Sequence, residues 1–148
     1  MPEKKTLERA EEDKREGKAP STQAGEFVRE EIEHVREGKH GARSTKQAIA
    51  IGLSKARRAG VDLPPPEKGK ASTKTRKQAA RDVRKGKSGS KGKKSTKRSR
   101  ATFEALKREG HSAASKKALS RQARSAAAKR SAKSRSRSAE KAAATRKK

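Results

Sequence analysis

The chain of 148 residues lacks cysteine, tryptophan and tyrosine, and two phenylalanines are its whole aromatic content. Without cysteine it has no disulfide, thiolate metal site or thiol nucleophile. Without a set of rings it has no platform on which successive unpaired bases stack, which excludes the usual single-strand binding modules. Hydrophobic residues make up 27% of the chain, so most of it cannot bury enough apolar area to offset the entropy of ordering. A single large globule is therefore not expected.

Long apolar runs are also missing from the sequence. No stretch approaches the roughly 18 apolar residues that a membrane-spanning helix needs. The first residues, MPEKKTLERAEEDK, contain no apolar run typical of a secretory signal. We therefore expect no membrane span and a cytoplasmic location.

Catalytic and metal-binding constellations are missing as well. The histidines at 34, 40 and 111 have no Ser or Cys partner with an orienting acid. Residues 38–45 have the composition of a phosphate loop, but no Lys-Ser/Thr pair follows a second glycine at Walker spacing. Glu31 and His34 form one Glu-x-x-His pair, whereas a carboxylate-bridged metal site needs two, so we interpret them as helix-surface charge. The expectation is no enzyme, no cofactor and no metal site.

Positive charge is what the chain has in excess, with 44 Lys and Arg against 17 Asp and Glu and a net charge of +27. Residues 1–63 carry 14 basic and 12 acidic residues, whereas residues 64–148 carry 30 and 5. Positive charges in such excess repel one another within the protein. When they neutralise the phosphates of a polyanion, the counterions condensed on that polyanion are released. The expected partner is therefore nucleic acid, with duplex DNA favoured over RNA, bound without base-sequence specificity.

The amino-terminal half is predicted to be helical. After a mixed-charge helical segment at residues 1–25, residues 26–63 show helical apolar spacing, a stop at Gly38, a capping box at Ser44 and Gln47, and a second stop at Gly60. This pattern predicts a helical hairpin, which is also the surface for self-association or a protein partner. Its expected core comprises Phe27, Val28, Ile32, Val35, Ile49, Leu53 and Ala56.

The carboxyl-terminal half is predicted to be a tail. Residues 64–71 begin with three prolines and are expected to form a Pro-rich linker. Residues 72–148 are expected to form a basic low-complexity tail, largely disordered, with conditional helices at about 72–85, 101–109 and 115–130. The fold class is thus mainly α without β-sheet. The expected phosphate contacts in the tail are Arg76, Lys77, Arg81, Lys91, Lys93, Lys94, Lys97, Arg98, Arg100, Lys116, Lys117, Arg121, Arg124, Lys129, Arg130, Lys133, Arg135 and Arg137.

A second phosphate contact is predicted where the second hairpin helix begins. The residues concerned are Lys39, His40, Arg43, Ser44 and Thr45. Cations there lie beside the free N–H groups of a helix start, although ordinary capping with solvated charges explains the same pattern. A sequence-reading helix-turn-helix is not expected, because residues 38–43 make a longer loop than its turn of about three or four residues.

The segment PSTQAGEFVREEIEHVREGKHGARSTKQAIAIGLSKARRAGVDLPPP resembles the core of a family of small, basic bacterial proteins of unknown function. The resemblance covers about residues 6–66 and implies a bacterial cytoplasm, but it assigns no active site. The residues after it are similar in composition to histone-H1-like tails. The expected function is therefore that of a nucleoid-associated, histone-H1-like protein. The alternatives are an RNA- or ribosome-associated basic factor and an interaction adaptor that the tail only localises.

Overall fold

The structure is a computed structural model that describes residues 1–89 and 95–146. In these ranges the chain is helical, and an isolated bridge between Lys68 and Ala71 is the only β-type pairing. The expectation of a mainly α fold is confirmed. The helices are α1 (Lys4–Arg15), α2 (Pro20–Arg36), α3 (Thr45–Arg58), α4 (Thr73–Ser88), α5 (Thr96–Lys107), α6 (Lys116–Ala128) and α7 (Ala132–Arg146), with a 3-10 turn, Ser112–Ala114, before α6.

Local sequence signals set the ends of the first helices. Gly38 and Gly60, the two expected stops, have φ of +73° and +97°, which only glycine adopts without strain. Ser44 begins α3 as predicted, because its Oγ accepts a hydrogen bond from the Gln47 backbone N–H at 3.2 Å. Each end is therefore encoded by the residues that form it.

α2 and α3 pack against each other over most of their length. Gly52 makes this possible, since a Cβ at that position would lie 2.6 Å from Val28 Cα. Phe27 and Ala56 are fully buried in one apolar cluster, which α1 completes with Ala10. The hairpin thus acquires the third element that its small core requires.

A second apolar cluster joins the hairpin to the region predicted to be its tail. Ile32 and Val35 of α2 pack with Ala48 of α3 and with Ala113 and Ala114 of the 3-10 turn. Val28 packs at the edge of this cluster, Leu53 packs at the edge of the first one, and Ile49 is half-buried and belongs to neither. The expected hairpin core is therefore divided between two clusters.

Residues 64–71 connect two packed helices. The buried Arg57 guanidinium donates hydrogen bonds to the carbonyl oxygens of Leu63 (3.1 Å) and Pro64 (3.2 Å), and Arg76 of α4 donates to that of Pro66 (3.2 Å). α4 in turn packs on α3 through Ala79 and Asp82, which are 4% and 1% exposed. The proline segment therefore holds α4 against α3.

The prediction of a largely disordered tail is wrong for the described residues. α4, α5 and α6 take the places of the conditional helices, and α7 follows where no helix was predicted. The serines at 72, 95 and 115 each accept a hydrogen bond from the backbone N–H three residues later, and alanine, lysine and arginine favour helix. Residues 90–94 of the tract expected to be disordered lie outside the described ranges.

The loop between α2 and α3 docks against the last turn of α5 and the segment that follows it. Gly41 N–H donates to Leu106 O at 2.9 Å, and Ala42 N–H donates to Gly110 O at 3.0 Å. A Cβ on Gly41 would lie 1.9 Å from Glu109 O, so no other residue permits this approach.

Over the described ranges, no helix combines the length and apolar composition needed to cross a lipid bilayer.

Candidate nucleic-acid interface

A basic groove lies between the start of α3 and α6. Its cavity of about 630 Å³ is bordered by the cations Arg43, Lys46, Lys117 and Arg121. The first turns of both helices also border it, with Ser44 and Ser115 as their N-caps. Two helix N-termini bring partial positive charge and free N–H groups to the same space, which suits a phosphate.

Buried hydrogen bonds fix the two sides of this basic groove relative to each other. Thr45 Oγ1 donates to Ala113 O at 2.7 Å, and Arg36 Nε donates to Ala114 O at 2.9 Å. Ala113 and Ala114 are 7% and 0% exposed. The cations on α6 are therefore held at a set position beside those on α3.

The residues of the predicted phosphate contact separate into two groups. Arg43, Ser44 and Thr45 border the basic groove. Lys39 does not, because its Nζ lies 3.0 Å from Glu37 and 3.1 Å from Glu3, whose carboxylates raise the pKa of Lys39. His40 is buried and faces α2. In the structure, Lys117 and Arg121 of α6 border the basic groove, and Lys39 and His40 do not.

The predicted tail contacts fall on several helices. Arg76, Lys77 and Arg81 lie on α4, and Arg76 is half-buried against Pro66. Lys91, Lys93 and Lys94 lie outside the described residues. The others lie on or beside α5 to α7: Lys97, Arg98, Arg100, Lys116, Lys117, Arg121, Arg124, Lys129, Arg130, Lys133, Arg135 and Arg137.

All 16 Lys and Arg side chains between residues 95 and 146 are exposed. Within the described part of the chain, none of them forms an ion pair with a carboxylate. Lys107 lies over the Phe103 ring at 5.0 Å, and Arg130 donates to Ser134 and Ser138 of α7. Their charge is thus directed to solvent.

Two cations of the amino-terminal half, Lys18 and Lys55, are in a different position. Lys18 lies 2.7 Å from Asp13, and this hydrogen bond raises the pKa of Lys18. Lys55 of α3 lies 2.7 Å from Glu31 and 3.2 Å from Glu30. Since carboxylates of α2 neutralise the charge of Lys55, this side chain is not free to contact bases.

The interpretation of Glu31 and His34 as helix-surface charge is wrong for Glu31. Its side chain is 1% exposed, and it faces His40, which the chain brings back beside α2 after the Gly38 turn. The signal available in the sequence was a histidine two residues after a helix stop, close to a Glu-x-x-His pair.

Comparison with known proteins gives one match. Residues 14–68 resemble a family of unknown function, DUF6496. The match runs from the end of α1 to the proline segment and includes α2, α3 and the loop that docks residues 106–110. It agrees with the expected likeness to an uncharacterised family. No curated protein and no solved structure matches the chain significantly.

Proposed function

We propose that the protein binds nucleic acid without base-sequence specificity, through its phosphates, as a nucleoid-associated, histone-H1-like protein. The observation that carries the proposal is the set of exposed, unpaired cations on residues 95–146. A surface of this kind is stabilised by an external polyanion, because each phosphate contact releases condensed counterions. Binding of a polyanion also reduces the electrostatic repulsion among the protein's own cations.

The helices give this binding a geometry. Lys133, Arg137 and Lys141 fall on one side of α7 at helical spacing, and Arg135 and Arg146 fall on the other. None of the α7 residues is buried, so both sides are open to phosphates. Cations around a helix neutralise backbones without presenting a fixed set of donors to base edges, and this is the reason for non-specific binding.

The basic groove supplies a more defined contact. Two helix starts and four cations converge there, so one phosphate is held by N–H groups and by Arg or Lys at once. Because the Thr45 hydrogen bond ties the 3-10 turn before α6 to the start of α3, it also fixes how α6 leaves the amino-terminal helices.

The proposal is tested by measuring duplex DNA affinity at several salt concentrations. The variant Lys117→Glu with Arg121→Glu is expected to bind more weakly and to reduce the slope of log K against log salt by about 2, from roughly 0.9 per lost phosphate contact. The matched control is Lys5→Glu with Lys14→Glu, which changes net charge equally on exposed positions of α1.

The control variant is expected to keep most of the slope. Equal losses in both variants mean that only net charge matters and the basic groove has no role. A wild-type slope of only 1 or 2 contradicts the whole proposal, because many more cations are exposed. Competition between duplex DNA and structured RNA at one salt concentration decides between the two polyanions.

A further inference from the structure

A cluster of three potential metal ligands lies on α2 and the loop that follows it, and none of the three borders the basic groove. Glu31 and His34 are one turn apart on α2, and His40 belongs to the loop after it. One ligand atom from each residue lies within 4.8 Å of the others. The Glu31 side chain is 1% exposed, that of His40 9% and that of His34 14%, so the cluster is largely shielded from solvent.

The Glu31 carboxylate is incompletely satisfied. Both of its oxygens are buried without a hydrogen bond of acceptable geometry, although Lys55 Nζ lies 2.7 Å from Oε2. Lys55 also serves Glu30, at 3.2 Å from its Oε1. A buried acceptor without a full partner is costly, so the site favours a further cation beside Oε1.

The hydrogen bond between His40 and a backbone carbonyl leaves the other ring nitrogen facing Glu31 Oε1. His40 Nδ1 lies 3.0 Å from Gly41 O, and a donor is required there because a carbonyl only accepts. A neutral ring then carries its lone pair on Nε2, which lies 3.2 Å from Glu31 Oε1. Two acceptors at this distance repel each other unless a proton or a metal cation lies between them.

His34 is arranged in the same way by a carboxylate. Its Nε2 lies 2.9 Å from Glu3 Oε1. A neutral His34 that donates Nε2–H there has its free lone pair on Nδ1. Metal-bound histidines usually donate their other ring nitrogen to a carboxylate or a backbone carbonyl, and here each histidine has one of the two.

We propose that Glu31, His34 and His40 bind a divalent transition metal of the Zn²⁺ type, with solvent as the fourth ligand. Imidazole nitrogens and a carboxylate are suitable ligands for zinc. Bonds of about 2.0–2.1 Å in a tetrahedron place ligand atoms about 3.3–3.4 Å apart. The 3.2 Å between His40 and Glu31 matches that spacing, and binding shortens the widest separation, which is at most 4.8 Å.

The metal would connect α2 to the loop that shapes the basic groove. His40 immediately precedes Gly41 and Ala42, whose N–H groups hold residues 106–110, and Arg43 borders the basic groove. Occupancy therefore stabilises the docked loop, and we expect the melting temperature to rise with Zn²⁺ concentration.

The experiment is a titration of the full chain, stripped of metal with a chelator and free of any histidine tag. Zn²⁺ binding is measured by calorimetry and Co²⁺ binding by visible absorption, where a tetrahedral site gives strong bands. The expected result is one ion per chain. His34→Gln and His40→Gln should each weaken Zn²⁺ affinity by at least ~100-fold, the upper end of what loss of an outer-sphere partner causes.

The matched control is His111→Gln, which changes the third histidine, exposed and outside the cluster. It should keep the wild-type affinity. Far-UV circular dichroism of each metal-free variant separates loss of the site from loss of the fold, and if His40→Gln unfolds, the partly exposed His34 decides alone. Absence of Zn²⁺ binding to the wild type, or an equal effect of all three variants, overturns the proposal.

Discussion

At Gly52, helix propensity and packing oppose each other directly. In an open helix, Gly→Ala stabilises by roughly 0.4–1 kcal/mol. Here the added Cβ would meet the α2 backbone at 2.6 Å, which forces α2 and α3 apart. We therefore expect Gly52→Ala to destabilise the chain by about 1–3 kcal/mol, measured by urea unfolding.

The control for this variant is Gly25→Ala on α2, where nothing lies within 4 Å of the new Cβ. It should be neutral or stabilising. If both variants shift the unfolding midpoint in the same direction, the close crossing of α2 and α3 is wrong.

Glu30 predicts a specific acid dependence of stability. Burial raises the pKa of Glu30, but hydrogen bonds from the Glu3 backbone N–H and from Thr6, together with Lys55, outweigh burial and lower it below 4.5. A folded-state pKa below the unfolded one means that the contribution is complete above pH 4.5 and is lost as pH falls through the folded value.

Glu30→Gln should therefore cost about 1–3 kcal/mol near neutral pH and progressively less under acid conditions. The measurement is the free energy of unfolding of both proteins as a function of pH. Glu33→Gln, at an exposed position paired only with Arg29, is the control. A difference between wild type and Glu30→Gln that stays constant with pH would contradict the assignment.

Residue-scale features were predictable where the signal is local. Ser44, Gly38 and Gly60 act on backbone groups within a few positions, so their roles follow from the sequence alone. The burial of Glu31 was not predictable, because its neighbours His40 and Lys55 approach it only after the chain has turned twice. A glutamate on a helix rich in charged residues is otherwise expected to be exposed to solvent.

At the scale of elements, α4 depends on one buried carboxylate. Asp82 accepts hydrogen bonds from Ser54 (2.8 Å) and Arg58 (2.8 Å) of α3 and from Gln78 (3.2 Å) of its own helix. Asp82→Ala should loosen α4 from α3 and cost about 2–3 kcal/mol, since hydrogen bonds to a charged group are lost.

This loosening is measured as faster amide hydrogen exchange in α4, detected by mass spectrometry. The control is Asp62→Ala, whose carboxylate is 79% exposed and lies 3.5 Å from an equally accessible Lys87. A surface pair of this kind contributes little, so exchange should not change. Equal protection of α4 in wild type and Asp82→Ala would show that Asp82 does not hold it.

The helices after residue 72 show why composition alone misled the prediction. High charge and few large apolar residues indicate disorder. Yet Ala113 and Ala114 form a buried contact with α2 and α3, and serine caps begin α4, α5 and α6. Alanine adds little to a hydrophobic pattern, so its role in docking becomes visible only when the partner helices are placed.

For the whole molecule, the structure predicts that the helical content precedes binding. Far-UV circular dichroism of the full chain without nucleic acid should already show a mainly helical protein. Addition of duplex DNA should change the spectrum little. A coil-like spectrum that becomes helical on saturation would restore the interpretation of a conditionally folded tail.

Charge is also organised at this scale. Glu30 and Glu31 are buried and paired with Lys55, so the hairpin carries less acidic surface than its sequence suggests. Four exposed acids lie on α1 and just after it, at Glu8, Glu11, Glu12 and Glu16, whereas Glu33 and Glu37 are the exposed acids at α2. Any attraction between the two halves of the chain would thus involve α1 more than the hairpin.

The contact between Thr45 and Ala113 joins residues 68 positions apart in the sequence. Closing such a long loop costs more entropy than pairing α2 with α3 across a short turn. We therefore expect the amino-terminal helices to assemble first and α6 to dock later. During synthesis, residues 1–112 leave the ribosome before Ala113, so the face of Ile32, Val35 and Ala48 is open to water until Ala113 and Ala114 have emerged and docked.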